Sequence, residues 1–167
     1  MLRHPARWMA LGFGSGLSPK GPGTVGTLWA WAAYLVLHPW LGDGGWGLLV
    51  AASWLVGVWA CTRTAQHLGR ADPPAIVWDE IAAFWTVLWL LEPQAWGWQL
   101  LAFAAFRYFD IAKPGVVRWA DQRFKLRPGE PIGWRQGVGI LWDDAVAAAL
   151  TLFVVALVAW SVRAWTS

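Results

Sequence analysis

Charge is scarce in this chain. Aspartate, glutamate, lysine and arginine make up 14% of its 167 residues, against about 25% in soluble domains. With a hydrophobic share of 57%, that shortage argues against an ordinary soluble domain and for a membrane protein. Cysteine is nearly absent: Cys61 stands alone inside an apolar run, which excludes an intrachain disulfide and makes a poor nucleophile. The three histidines, His4, His38 and His67, are scattered, so a zinc site of ordinary ligand spacing is not expected. The opening MLRHPARWMALGFGSG lacks the apolar core of a cleavable signal peptide. Alternating β-branched runs are missing and no repeat of fixed period is found, which leaves an all-α chain. The net charge of +3 is too small to suggest a nucleic-acid partner.

Tryptophan is abundant, at 17 residues. Trp29, Trp40, Trp46, Trp78, Trp96, Trp98, Trp134 and Trp165 stand near the ends of apolar runs, as interfacial aromatics do. The chain reads as one domain over 1–167. A basic, glycine-rich loop covers 1–23, because the breakers in GFGSGLSPKGPGTVGT disfavour a helix. A polytopic membrane bundle of about five apolar helices covers 24–162. Its segments are Thr24–Leu41, Trp46–Thr62, Ala75–Leu91, Ala95–Ile111 and Gly137–Val162. Several hold only about 15–18 residues, near the lower limit for a bilayer span, so some need not cross fully. A soluble five-helix bundle is the rival structural reading.

The charges are sorted. If all five segments cross, Arg3, Arg7, Lys20, Arg63, Arg70, Arg107, Lys113, Arg118, Arg123, Lys125, Arg127 and Arg135 share one side, and only Arg163 lies opposite. The turns Gly42–Gly45 and Glu92–Gln94 carry no cation. The positive-inside rule makes the crowded side cytoplasmic. The basic stretch from Arg118 to Arg135 is suited to anionic lipid headgroups.

The acids collect on that side too. Asp79 and Glu80 open the third segment, Asp110 closes the fourth, and Asp143 and Asp144 fall in the first two turns of the fifth. In FRYFDIAKP, Arg107, Asp110 and Lys113 share one helix face before Pro114 stops the helix. Capping and the helix macrodipole account for one acid in a first turn. They do not account for doubled acids, nor for Asp110 at a helix C-terminus. Carboxylates beside cations in an oxygen-rich pocket suit Mg²⁺ and a phosphate group. In this reading Asp79, Glu80, Asp110, Asp143 and Asp144 supply metal ligands and catalytic groups. Arg107, Lys113 and Lys20 bind phosphate, with Ser15 and Thr24 of the glycine stretch as hydroxyl donors. That stretch is also readable as a plain linker, and it lacks P-loop spacing. Water and a carboxylate both remain open as nucleophile. A small transporter or channel is the alternative for intramembrane charges, although the acids gather at one face rather than at the midplane.

Taken together in order and spacing, GFGSGLSPKGPGTVGT, VWDEIAAFW, FRYFDIAKP and GVGILWDD resemble the phosphatidylglycerophosphatase A family, from about Gly12 to Ala149. The resemblance implies a Mg²⁺-dependent phosphatase of the bacterial inner membrane. It would convert phosphatidylglycerophosphate to phosphatidylglycerol in phospholipid biosynthesis, with its site on the cytoplasmic side. Another lipid phosphate is the alternative substrate. The family's acidic motif residues correspond to Asp79, Glu80, Asp110, Asp143 and Asp144, with Arg107 and Lys113 in the same motifs. Where the family usually reads KPWP this chain has Lys113-Pro114-Gly115-Val116, and where it has a glycine pair this chain has Gln136-Gly137.

Overall fold

The computed structural model describes residues 4–91, 95–127 and 129–166. The chain is all-α. Its elements are α1 (Pro5–Ala10), a 3₁₀ segment (Gly12–Leu17), α2 (Pro22–Leu37), α3 (Asp43–Leu68), α4 (Trp78–Leu90), α5 (Trp96–Ala112), α6 (Val116–Arg123) and α7 (Trp134–Thr166). The predicted turn Glu92–Gln94 and the cation Arg3 lie outside the described residues.

Helix α4 is the axis. It packs against α2, α3, α5 and α7, and Ile81, Ala82, Ala83, Phe84, Val87 and Leu88 are fully buried along it. Phe84 stacks on Phe106 of α5 at 5.6 Å and meets Phe103 edge-on at 5.8 Å. A helix apolar on every side must be surrounded by other helices. With 13 residues it is about 20 Å long, short of a bilayer's hydrocarbon core. Among the described residues two helices are long and apolar enough to cross a membrane, α3 and α7. Of the five expected crossing segments, α2, α4 and α5 are the shorter ones.

Small residues set the helix crossings. A Cβ on Gly57 of α3 would fall 2.8 Å from the Trp78 ring and 3.0 Å from Leu141. One on Gly137 of α7 would fall 2.7 Å from the Val58 carbonyl and closer still to the Thr62 hydroxyl. Such close approach of backbones is what helix association in lipid relies on.

Helix ends follow local chemistry. Gly69, left-handed at φ 63, closes α3, and Arg70 N–H returns to the Ala65 carbonyl at 3.2 Å. Lys113 takes the same region at φ 43 to end α5, and Pro114 follows. The Gln136 side chain accepts from Gly133 N–H at 2.8 Å, capping the start of α7.

Four expectations are corrected. The stretch 1–23 is not an open loop where described: α1 and the 3₁₀ segment occupy it, and α2 starts at Pro22. Gly12, Gly16 and, just beyond, Gly26 serve close packing, whereas a Cβ on Gly14 would meet nothing. A Cβ on Gly16 would fall 2.1 Å from the Ala75 carbonyl, and one on Gly12 or Gly26 would meet Val77 at 2.7 or 2.8 Å. The second segment, expected over Trp46–Thr62, is longer at both ends, as α3 runs Asp43–Leu68. Trp46 and Trp78 are core residues rather than interfacial ones, at 1% and 2% exposure, and Trp78 Nε1 donates to the Ser53 carbonyl at 3.0 Å. Trp40, Trp96, Trp134 and Trp165 are exposed, as expected. Finally, α7 starts at Trp134, so Asp143 and Asp144 lie in its third turn.

Candidate active site

The bundle ends in a cavity of about 720 Å³ on the side where α4 and α7 begin and α5 finishes. All five predicted acids line it, with Arg107, Lys113 and Thr24. Ser15 and Lys20 do not. The Ser15 hydroxyl donates to the Gly12 carbonyl at 2.8 Å, and Lys20 is exposed. The sequence therefore brings eight of its ten candidate side chains to one place.

The acids divide into two sets. One carboxylate oxygen each from Asp79, Glu80 and Asp144 lies within 4.8 Å of the others. Asp79 Oδ1, Glu80 Oε2 and Asp144 Oδ2 are buried without a hydrogen-bond partner. Three carboxylates massed in a buried site, each with an oxygen left unpartnered, repel one another and lose hydration, a heavy cost unless a cation joins them. An all-oxygen donor set of this kind fits Mg²⁺. Thus the residues present fit a divalent cation.

The other two acids are paired. Asp110 binds Arg107 at 2.6 Å, one turn apart on α5. This pairing offsets the unfavourable position of a carboxylate near a helix C-terminus. Arg107 Nη1 also donates to Thr27 Oγ1 at 3.3 Å, and Arg107 Nε is buried without a partner. Asp143 accepts from Lys113 at 2.5 Å.

Gly23 joins the two sets. A Cβ there would fall 2.1 Å from Glu80 Oε1 and 3.3 Å from Arg107 Nη2. The first turn of α2 thus presses bare backbone against the carboxylate and the guanidinium. This is the glycine of the predicted loop that bears most directly on the site.

Asp121 of α6 belongs to the site and was not singled out from sequence. It binds Lys113 at 2.6 Å and Lys125 at 2.8 Å, so Lys113 bridges Asp121 and Asp143. Burial alone would lower the Lys113 pKa, but the two carboxylates outweigh it and hold the ammonium above its usual range. Burial would raise Asp121, and the two lysines outweigh it, holding that carboxyl below its usual range. An acid set i, i+4 from Lys125 inside an otherwise basic stretch was the signal available. Gln136 was also missed: it is buried in the cavity wall with Nε2 unpartnered.

Comparison with known proteins gives the family. A family model described as phosphatidylglycerophosphatase A matches residues 8–159. A phosphatidylglycerophosphatase A of Haemophilus influenzae is 36% identical over 92% of this chain and 88% of its own length. The Escherichia coli protein of that name is 35% identical over 90% of this chain and 81% of its own. A putative phosphatidylinositol-3-phosphatase of Bacteroides thetaiotaomicron is 34% identical over 89% and 90%. No solved structure gives a significant match. With the family model spanning nearly the whole chain, and with relatives this similar end to end, the chain belongs to the phosphatidylglycerophosphatase A family.

Proposed function

We propose that the cavity removes the terminal phosphate of phosphatidylglycerophosphate in a Mg²⁺-dependent reaction at the cytoplasmic face of the bacterial inner membrane. As a member of its family the chain is a phosphatidylglycerophosphatase, a phosphoric monoester hydrolase of phospholipid biosynthesis. The single observation that carries the metal-dependent reading is the convergence of Asp79, Glu80 and Asp144 with buried, unpartnered oxygens.

These three residues would hold the ion, and Asp110 and Asp143 stand next to them in the same cavity wall. A bound Mg²⁺ would neutralise phosphoryl charge and polarise the phosphorus centre. Arg107, braced by Asp110 and Thr27, is placed to take phosphate oxygens. Lys113, held by Asp121 and Asp143, is a second cation in the same cavity wall. Thr24, in the first turn of α2, offers a hydroxyl. Gly23 keeps side-chain bulk away from the reacting group. The net reaction adds one water: a phosphorus–oxygen bond to the water oxygen forms, the phosphorus bond to the glycerol oxygen breaks, and that oxygen takes up a proton from the water.

The membrane reading rests on α3 and α7 and on the charge sorting. Arg63 lies near the site end of α3, whereas Arg163 is at the far end of α7. By the positive-inside rule the site faces the cytoplasm, and the basic residues around α6 face anionic lipid. The shorter helices complete a multi-pass bundle.

Purified protein should release phosphate from phosphatidylglycerophosphate with Mg²⁺ and stop when the metal is chelated. Undiminished release without divalent metal would overturn the mechanism. The Bacteroides relative motivates a second substrate, a phosphoinositide monoester, to be assayed beside the first.

A further inference from the structure

Asp143 and Asp144 are adjacent, yet they serve different groups. Their Cα atoms are about 3.8 Å apart and their side chains diverge by about 100° around the helix. Asp144 turns into the carboxylate trio, and Asp143 turns to Lys113. The cavity therefore has two chemically distinct compartments side by side. One is an anionic, buried cluster bordered by Arg107. The other is an ion-pair network in which Asp121 bridges Lys113 and Lys125 and Asp143 holds Lys113 from the opposite side, with Lys125 at its exposed end.

Exposure rises from the first compartment to the second. Asp144 is 2% exposed, the Lys113 side chain 30% and the Lys125 side chain 65%. The cavity wall also carries two exposed apolar side chains, Ile111 and Leu126. A ligand that follows this gradient presents a group for the metal cluster first, a second anion next, and a hydrocarbon part last.

We infer that Lys113 and Lys125 form a subsite for the bridging phosphodiester of the lipid, separate from the carboxylate and Arg107 compartment that takes the terminal phosphomonoester. This rests on the phosphomonoesterase reading above and specifies its substrate class. That class is a glycerophospholipid whose head carries a monoester beyond the diester. A lipid monoester without a diester, such as phosphatidate, leaves the second compartment unfilled. Asp121 acts as a positioning residue, since it orients both ammonium groups before the lipid arrives. The Lys125 side chain is 65% exposed, so its pair with Asp121 is worth little and a phosphate oxygen competes for the ammonium.

The test uses Lys125→Gln, with Lys125→Arg as the charge-restoring control. First, binding of short-chain phosphatidylglycerol, which carries only the diester, is measured in detergent by titration calorimetry with chelator present. Wild type should bind it without metal, and Lys125→Gln should weaken it about fivefold while Lys125→Arg restores it. Second, kcat/KM is measured with Mg²⁺ on phosphatidylglycerophosphate and on phosphatidate. The ratio of the two should fall about fivefold in Lys125→Gln, chiefly through KM. An unchanged ratio, or diester binding indifferent to Lys125, overturns the subsite and leaves the phosphatase reading intact. Failure of wild type to release phosphate from either lipid overturns the phosphatase reading, and the subsite with it.

Discussion

Helices α4 and α7 each present two adjacent acids to the cavity, and they do so by different means. Asp79 and Glu80 sit in the first turn of α4, where free N–H groups and the macrodipole favour carboxylates. Both join the trio. Asp143 and Asp144 sit in the third turn of α7, beyond the reach of that effect. There one acid joins the trio and the other needs Lys113. Burial differs as well. The short α4 is enclosed by neighbours, while α7 leaves Phe153, Leu157 and Trp160 exposed on the surface that would meet lipid. The contrast teaches that a doubled acid is not one kind of feature. Its two members are separated by helix geometry, and the neighbouring helices decide what each one does.

The strongest way to break this comparison is to neutralise the acids one at a time. Asp144→Asn should lower kcat/KM at least about a hundredfold and weaken Mg²⁺ binding in calorimetry, because it removes a proposed ligand. The same change should raise the metal-free melting temperature by about 2–5 °C, since it relieves repulsion in the trio. Asp143→Asn should cost about tenfold in kcat/KM and leave Mg²⁺ affinity nearly as it was. Equal loss of metal affinity in both variants would remove the distinction between the two aspartates.

Glycine substitutions sharpen it next. Gly23→Ala must displace Glu80, so activity should fall by about tenfold or more, with a smaller effect on melting. Gly137→Ala meets Val58 backbone and Thr62 instead, and should destabilise the α3–α7 crossing by about 1–3 kcal/mol in denaturant titration. An inactive but stable Gly137→Ala, or an unfolded but otherwise competent Gly23→Ala, would reverse these assignments.

The smallest expected effect lies outside the helix pairs. Glu130 accepts from Arg127 N–H at 3.1 Å and from Arg135 at 2.9 Å, and these contacts hold its carboxyl below the usual range. A carboxyl depressed on folding contributes order that is full above its unfolded pKa and is lost as pH falls through the folded one. Protection of the Arg127 amide in hydrogen exchange should therefore persist at about pH 4.3 and fade below it. Fading that begins well above that value would show that the contact does not control this loop.

Much of the site was legible before any coordinates. Asp79, Glu80, Asp110, Asp143, Asp144, Arg107, Lys113 and Thr24 could be gathered because charge is rare in so apolar a chain, and because topology put them at one depth. Ser15 and Lys20 were added on the strength of a glycine-rich stretch. That composition fits an anion cradle and close backbone packing equally well, and the packing of Gly12, Gly16 and Gly26 on residues 75–77 is a tertiary fact. Asp121 went unnoticed because an acid among basic residues looks like a solvated ion pair until α6 folds it back onto Lys113.

Composition, hydrophobic run length and charge order were enough to establish an all-α chain with its acids at the cationic end, since these follow from local periodicity and from the cost of charge in hydrocarbon. Which carboxylates keep an unpartnered oxygen, and which are neutralised by Arg107 and Lys113, was decided only by the helix crossings. Those choices turn on a few ångströms between residues far apart in the chain, and close contacts such as Gly23 on Glu80 exist only once α2, α4, α5 and α7 have met.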